Sequence, residues 1–475
     1  MYCELGLSID GRWIGASERD GSDVVNPATG QPIAALPHAT TSDLDLALDV
    51  AGRAFRHWRD VPAFDRAKVL RRAAQVMRER IETIARVMTL EQGKPLAEAV
   101  GEIDFAAETI DWMADEGRRA YGRLIPSRVL HGRVMVVQEP VGPVAAFTPW
   151  NAPALTNARK IAPALAAGCS IILKAAEETP GTAVEMVRCF EEAGLPKGVL
   201  QLVFGVPAEV STHLIASPVI RKISFTGSVR VGIHLTKLAA EGMKRVTMEL
   251  GGQAPVIVFD DADVAHAVQQ TAAFKYRNAG QICAAPNRFF VHERVHDAFV
   301  ERFVHHARAL KLGDGLDPLT TMGPLANARR LDAMEAFVAD ARKHGGEIAS
   351  GGARCGNVGF FFEPTVITGV DDAARLMQEE PFGPVAPIVA FRDFDEVVAR
   401  ANAVPLALTA FAFTASEKRA RAIADRLEAG LVAINTGGTS LPETPFGGVK
   451  YSGTGHEGGT EGLEAYTIKK LINQY

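Results

Sequence analysis

The chain lacks the features of a small cross-linked protein or a membrane-bound one. Its five cysteines (Cys3, Cys169, Cys189, Cys283 and Cys355) are odd in number and widely scattered over 475 residues. No CxxC pair and no Cys/His group at ligand spacing occurs, so neither a disulfide framework nor a structural zinc site is indicated, and no metal is expected. The cysteines read as free thiols of a cytoplasmic protein. No apolar run approaches a membrane span: the greasiest stretch, residues 161–173, is too short and contains Pro163, Gly168 and Ser170. Residues 1–10 lack the basic start and apolar run of a secretory leader. Excess charge of one sign is missing too. A net charge of −5 gives no reason to expect nucleic acid or an anionic membrane as a partner. There is no fixed-period repeat and no low-complexity tract. What remains is a globular composition on a chain long enough for two or three domains.

Residues 1–40 are punctuated by Gly, Pro and Asn, which predicts hairpins and turns. Helical spacing follows. Leu44, Leu48, Ala51, Phe55 and Trp58 mark a helix over 43–58, and apolar residues from Val69 to Val87 mark a second over 65–91, stopped by Gly93-Lys94-Pro95. A third runs over 96–121. Residues 129–138 alternate as a strand with no partner nearby in sequence, the pattern of an arm leaving its domain. From Gly142 onward strands (144–147, 170–174, 199–203, 222–225, 245–249) alternate with helices (154–167, 182–192, 208–216, 229–240), which predicts a parallel sheet covered on both faces. A second α/β series begins after Gly251-Gly252 with a strand at 256–259.

Four stretches can carry chemistry. Cys283, in Asn278-Ala279-Gly280-Gln281-Ile282-Cys283, is a candidate nucleophile, although a lone cysteine is as readily a small core residue. Gly453-Thr454-Gly455-His456-Glu457-Gly458 has GxGxxG spacing but follows no apolar strand and opens no useful helix, so it is not read as a dinucleotide fingerprint. Thr226-Gly227-Ser228 is a better candidate. It turns from a strand end into a helix N-terminus, where free N–H groups and the dipole suit a pyrophosphate. Lys174 and Glu177 follow a buried strand at the carboxyl edge, where they can reach a ribose.

Together these stretches resemble the aldehyde dehydrogenase superfamily over essentially the whole chain. The matching segments, in order, are Phe147-Thr148-Pro149-Trp150-Asn151-Ala152-Pro153, residues 174–177, Phe225-Thr226-Gly227-Ser228 and Met248-Glu249-Leu250-Gly251-Gly252. Gly280-Gln281-Ile282-Cys283, Glu379-Glu380-Pro381-Phe382-Gly383-Pro384 and residues 445–453 complete the set. The resemblance implies an α/β fold with a Rossmann-type NAD-binding domain (1–121 and 142–250), a catalytic domain (251–450), and an oligomerisation arm and tail (122–141 and 451–475). It implies a homodimer or homotetramer. It also implies that Cys283 attacks the aldehyde, that the Asn151 amide and the Cys283 backbone N–H hold the oxyanion, and that Glu249 is the general base. Trp150, Lys174, Glu177, Gly227, Ser228, Leu250, Glu380 and Phe382 would hold the cofactor. An acid at Glu177 would repel a 2′-phosphate, so NAD is expected over NADP. Ala175 replaces the proline that often follows this lysine.

Arg159, Arg277 and Ser440 match positions that clamp a distal carboxylate in the succinate-semialdehyde dehydrogenase branch, and bidentate guanidinium pairing makes that clamp strong. The expected substrate is therefore a small ω-carboxylated semialdehyde, with an aromatic or broad-specificity aldehyde dehydrogenase as the alternative. Ala285 stands where some semialdehyde enzymes carry a second cysteine, so no local disulfide pair forms here. CoA-acylating relatives lack the glutamate that Glu249 matches, which favours water as acyl acceptor. A scaffold that has lost its activity would not be expected to keep Asn151, Glu249, Cys283 and Glu380 together.

Overall fold

The computed structural model describes residues 2–438 and 440–475. The first layer is helical: α1 (Thr41–Trp58), α2 (Ala63–Glu79), α3 (Ile81–Gln92) and α4 (Leu96–Arg118). A capping box at Thr40 and Asp43 starts α1, and Gly93 with φ +94° ends α3. The single helix expected over 65–91 is two helices. Arg80 leaves the helical region (φ −107°, ψ 12°) with no Gly or Pro to signal it. Tertiary packing makes the break: α2 and α3 both lie on α4, but α3 also turns to cover the strand Gly21–Asn26.

Next come α5 (Pro153–Ala167), α6 (Pro180–Glu192), α7 (Pro207–Ala216) and α8 (Val229–Glu241), threaded between strands as the alternation predicts. Five parallel strands form the centre of an eight-stranded sheet, in the order Leu200–Val203, Ile171–Lys174, Val144–Phe147, Lys222–Gly227, Arg245–Leu250. Numbered by chain position this order is 3-2-1-4-5. The direction of winding reverses between Val144–Phe147 and Lys222–Gly227, and α/β sheets bind ligands outside the carboxyl ends at such a point. The candidate stretches 148–151 and 226–228 leave the sheet there.

A second sheet of seven strands, beginning with Ala254–Val258 and covered in part by α9 (Val264–Tyr276), has its own apolar core. Residues 133–140 do form a strand, but it has a near neighbour in sequence, Arg123–Ile125, as well as the distant Thr467–Gln474. The tail expected at 451–475 divides. Gly453–Thr454 extends the first sheet beside Met248 and Glu249, and Leu463 and Tyr466 enter the first core, so only Thr467–Gln474 reaches the three-stranded sheet. Backbone pairing at the sheet edge and burial of an aromatic ring hold the earlier part in place.

Candidate active site

A cavity of about 1250 Å³ opens at the reversal point of the first sheet. The Cys283 loop forms one wall. It leaves α9 through Asn278 (φ 51°), Ala279 (φ 51°) and Gly280 (φ 73°), three consecutive left-handed residues. Glycine is required at the third: a Cβ on Gly280 would lie 2.2 Å from the Gly383 carbonyl oxygen. The tight turn packs the Cys283 loop against the 379–383 loop, which brings Glu380 and Phe382 into the same cavity.

Asn151 faces this loop from the end of the first sheet. One N–H of its side-chain amide donates to the Gln281 carbonyl (2.9 Å), and the amide has no other partner among the described residues. Glu249 ends the strand Arg245–Leu250, is 3% exposed, and leaves both carboxylate oxygens without a partner among the described residues. Burial first, and then the negative charge of Glu457, hold its carboxyl well above the usual range, against the pull of Lys160 and Arg159. Burial also pushes the Cys283 thiol up to about 12, helped by Glu380 and Glu249 and opposed by Arg159. An unpartnered acid beside a protonated thiol is an unrelieved cost in a folded core, and such groups mark reaction sites.

Arg159 lies on α5 and is buried. Its guanidinium donates to the Ser440 hydroxyl (2.6 Å) and sits 4.2 Å from the centre of the Phe446 ring, with no carboxylate partner among the described residues. Arg277 lines the same cavity from the start of the Cys283 loop but is exposed.

On the cofactor side the cavity reaches Gly227 and Ser228, the entrance to α8, whose first-turn N–H groups have no side-chain cap. Trp150 and Phe382 meet edge to face, ring centres 5.4 Å apart. Glu380 accepts from the Gly252 N–H (3.1 Å), and burial lifts its carboxyl to about 7. A Cβ on Gly251 would lie 2.4 Å from that carboxylate, so the Gly251-Gly252 pair is what lets Glu380 approach. Leu250 completes this wall. Uncapped helix amides at one end, and an aromatic pair with a carboxylate near the thiol at the other, fit a dinucleotide. Lys174 and Glu177 do not line the cavity. They form an ion pair with each other (2.5 Å) at the end of their strand.

Residues 13–472 match the aldehyde dehydrogenase family. The chain belongs to that family. Among its relatives, 4-(hydroxymethyl)benzenesulfonate dehydrogenase TsaD1 of Comamonas testosteroni is 49% identical, over 98% of this chain and 97% of that one. The NADP-dependent succinate-semialdehyde dehydrogenase GabD of Escherichia coli K12 is 43% identical, over 98% of this chain and 96% of that one. A crystal structure of succinate-semialdehyde dehydrogenase from Burkholderia pseudomallei superposes with a TM-score of 0.97 at 43% identity, covering 99% of this chain and 98% of that one. The protein is thus an aldehyde dehydrogenase, and it has the aldehyde dehydrogenase fold.

The fold also reveals neighbours of the site that motif reading passes over. Lys160, one residue after Arg159, is fully buried and paired with Glu457 (2.5 Å) and with the Thr226 hydroxyl (2.7 Å). Glu457 lies inside the GxGxxG-like run, so that run supplies a buried acid to the vicinity of Glu249 rather than a phosphate loop. The available signal was a charged pair in two otherwise small-residue segments, and nothing in either segment alone names its partner.

Proposed function

We propose that the protein oxidises an aldehyde bearing a distal anion to the corresponding carboxylic acid, with a succinate-type ω-carboxylated semialdehyde as first choice and NAD as the preferred cofactor. The unpaired, buried guanidinium of Arg159 carries the substrate assignment. A buried charge whose direct partners, among the described residues, are a hydroxyl and an aromatic face, with the Glu249 carboxyl near but not hydrogen-bonded to it, is suited to receive an anion. Ser440 and the more exposed Arg277 would complete the clamp. The two relatives named above act, by their names, on a sulfonate-bearing and a carboxylate-bearing substrate.

In the proposed mechanism the Cys283 thiol gives its proton to the Glu249 carboxylate as its sulfur bonds to the aldehyde carbon, the carbonyl π bond breaks, and the carbonyl oxygen becomes an oxyanion. The free N–H of Asn151 and the Cys283 backbone N–H would stabilise that charge. Trp150, Gly227, Ser228, Leu250, Glu380 and Phe382, with Lys174 and Glu177 at the ribose end, would hold a nicotinamide cofactor, which would accept the hydride from the aldehyde carbon. A thioester on Cys283 remains. Glu249, its first proton passed on to solvent, then takes a proton from water as the water oxygen attacks the acyl carbon; the Cys283–acyl bond breaks, the sulfur takes that proton back from Glu249, and the acid is released. Burial makes Glu249 a stronger base than an exposed carboxylate, which suits this step. The region around the first sheet would serve as the NAD-binding domain and that around the second as the catalytic domain.

NAD preference rests on Glu177, whose carboxylate would repel a 2′-phosphate. A kcat/KM at least about tenfold higher with NADP, a difference of roughly 1.4 kcal/mol, would overturn that assignment. For the substrate, Arg159→Leu and Arg277→Ala should each raise KM for succinate semialdehyde roughly 10- to 100-fold, the worth of a charge-assisted hydrogen bond, while leaving KM for butanal nearly unchanged. Because Arg159 also acts on Glu249 and Cys283, any change it makes in kcat should be common to both aldehydes. Equal effects on both aldehydes would remove the clamp. The Phe446 ring under Arg159 favours a second reading, an aromatic aldehyde with a ring sulfonate or carboxylate, for which the same variants should show the same anion dependence.

A further inference from the structure

Among the described residues the Asn151 amide makes one hydrogen bond, to the Cys283 loop, and its backbone carbonyl is held both by that loop and by a residue from outside it. The Asn151 carbonyl accepts from Lys94 Nζ (2.9 Å) and from the Asn278 side-chain amide (2.9 Å). Lys94 is 4% exposed and its ammonium is paired with Glu102, which is equally buried. The other oxygen of Glu102 accepts from the Ala154 and Leu155 N–H groups (2.9 and 3.3 Å), the first turn of α5, which has no capping side chain of its own. The ring closes through Gln92. Its side-chain oxygen accepts from the Lys94 backbone N–H (3.0 Å) and its amide donates to the Asn278 side chain (2.8 Å). Asn278 in turn anchors Gln281, whose carbonyl takes the Asn151 N–H.

Burying an ion pair is costly, and replacing one by apolar groups is often neutral or stabilising, so stability alone does not account for a charged pair here. What the pair does locally is fix Asn151 on both sides: the ammonium grips its carbonyl and the carboxylate fixes the helix that starts two residues later. With the carbonyl held and one amide N–H spent on Gln281, the second N–H is left without a partner among the described residues, on a side chain that lines the cavity. We propose that Lys94, acting with Glu102, is a positioning residue that aims the Asn151 amide at the oxyanion. This rests on the role assigned to Asn151 above.

A four-protein cycle tests it: wild type, Asn151→Ala, Lys94→Met/Glu102→Gln, and all three changes together. The double variant removes both charges but keeps the packing volume and an oxygen over the α5 amides. Removing an oxyanion donor outright costs roughly 10²–10³ in kcat, and misaiming it should cost a part of that, about 10-fold or more. The double variant should therefore lower kcat with KM nearly unchanged, and add nothing in the Asn151→Ala background. Alkylation of Cys283 by iodoacetamide, which forms no oxyanion, should keep its wild-type rate. An undiminished loss on top of Asn151→Ala, a parallel fall in alkylation, or an unchanged kcat would each overturn the proposal. Wild-type kcat in Asn151→Ala would overturn the oxyanion role itself and this inference with it. If the double variant does not melt as wild type does, Lys94→Gln, polar but one bond shorter, takes its place in the cycle with the same expected pattern.

Discussion

Cys283 and Glu249 are both set by desolvation. With the thiol pushed up to about 12, the sulfur of the free enzyme is protonated throughout the neutral range. The thiolate fraction then rises about tenfold per pH unit below that value, so the rate of iodoacetamide alkylation should climb without a plateau from pH 6 to 9. A plateau beginning below pH 7 would show a thiolate already formed and would contradict the environment described. At this scale the sequence marks the candidate residues, and the apolar flanks Met248 and Leu250 hint at a raised Glu249 carboxyl, but it does not show the groups that act on them. Cys283, Asn151, Glu249, Glu380 and Arg159 stand in recognisable short segments. Their protonation depends on neighbours such as Glu457 and Lys160, which lie far away in the chain and are brought close only by folding.

Among the elements, the turn at 278–280 sets where Cys283, the proposed nucleophile, stands. Gly280→Ala would put a methyl group 2.2 Å from the Gly383 oxygen at φ +73°. Left-handed strain and overpacking each cost about 1–3 kcal/mol, so the variant should unfold at distinctly lower denaturant concentration and lose most activity. A variant as stable and active as wild type would mean that the loop has room to move. The alternating strands and helices between 144 and 250 were legible to within a few residues, because apolar bursts and helical spacing are local signals. The break at Arg80 was not, since no residue there opposes a helix. The resemblance grouped residues 122–141 with the C-terminal tail, but periodicity did not show the pairing of 133–140 with either Thr467–Gln474 or the nearby Arg123–Ile125, because strand pairing is a contact between segments and not a property of either.

On the scale of the whole molecule, the three-stranded sheet carries a group of exposed apolar side chains. Leu124, Leu130, Leu471 and Tyr475 on or beside it are all more than half exposed. The expectation of a homo-oligomer places the association here, by edge pairing and burial of these side chains. Light scattering should then give a dimer or tetramer for the full chain and a smaller species after removal of 467–475. A monomeric full chain would contradict it. That two sheets enclose one cavity was legible only through the family resemblance. Periodicity predicts each layer, whereas their juxtaposition depends on which loops meet, and residues 278–283 meet 379–383 by backbone shape. On the proposed function, substrate choice would depend on this assembled cavity, where Arg159 of α5 meets a serine some 280 residues away.

The most direct test is the ratio of kcat/KM for succinate semialdehyde to that for butanal in the wild-type enzyme with NAD, since the two differ at the distal end by the carboxylate. Charge-assisted hydrogen bonds of about 1.5–3 kcal/mol from a buried arginine and its neighbours predict a ratio of roughly 10² or more. A ratio near one, or a preference for butanal, would show that Arg159 does not meet the substrate's anion and would contradict the proposed function.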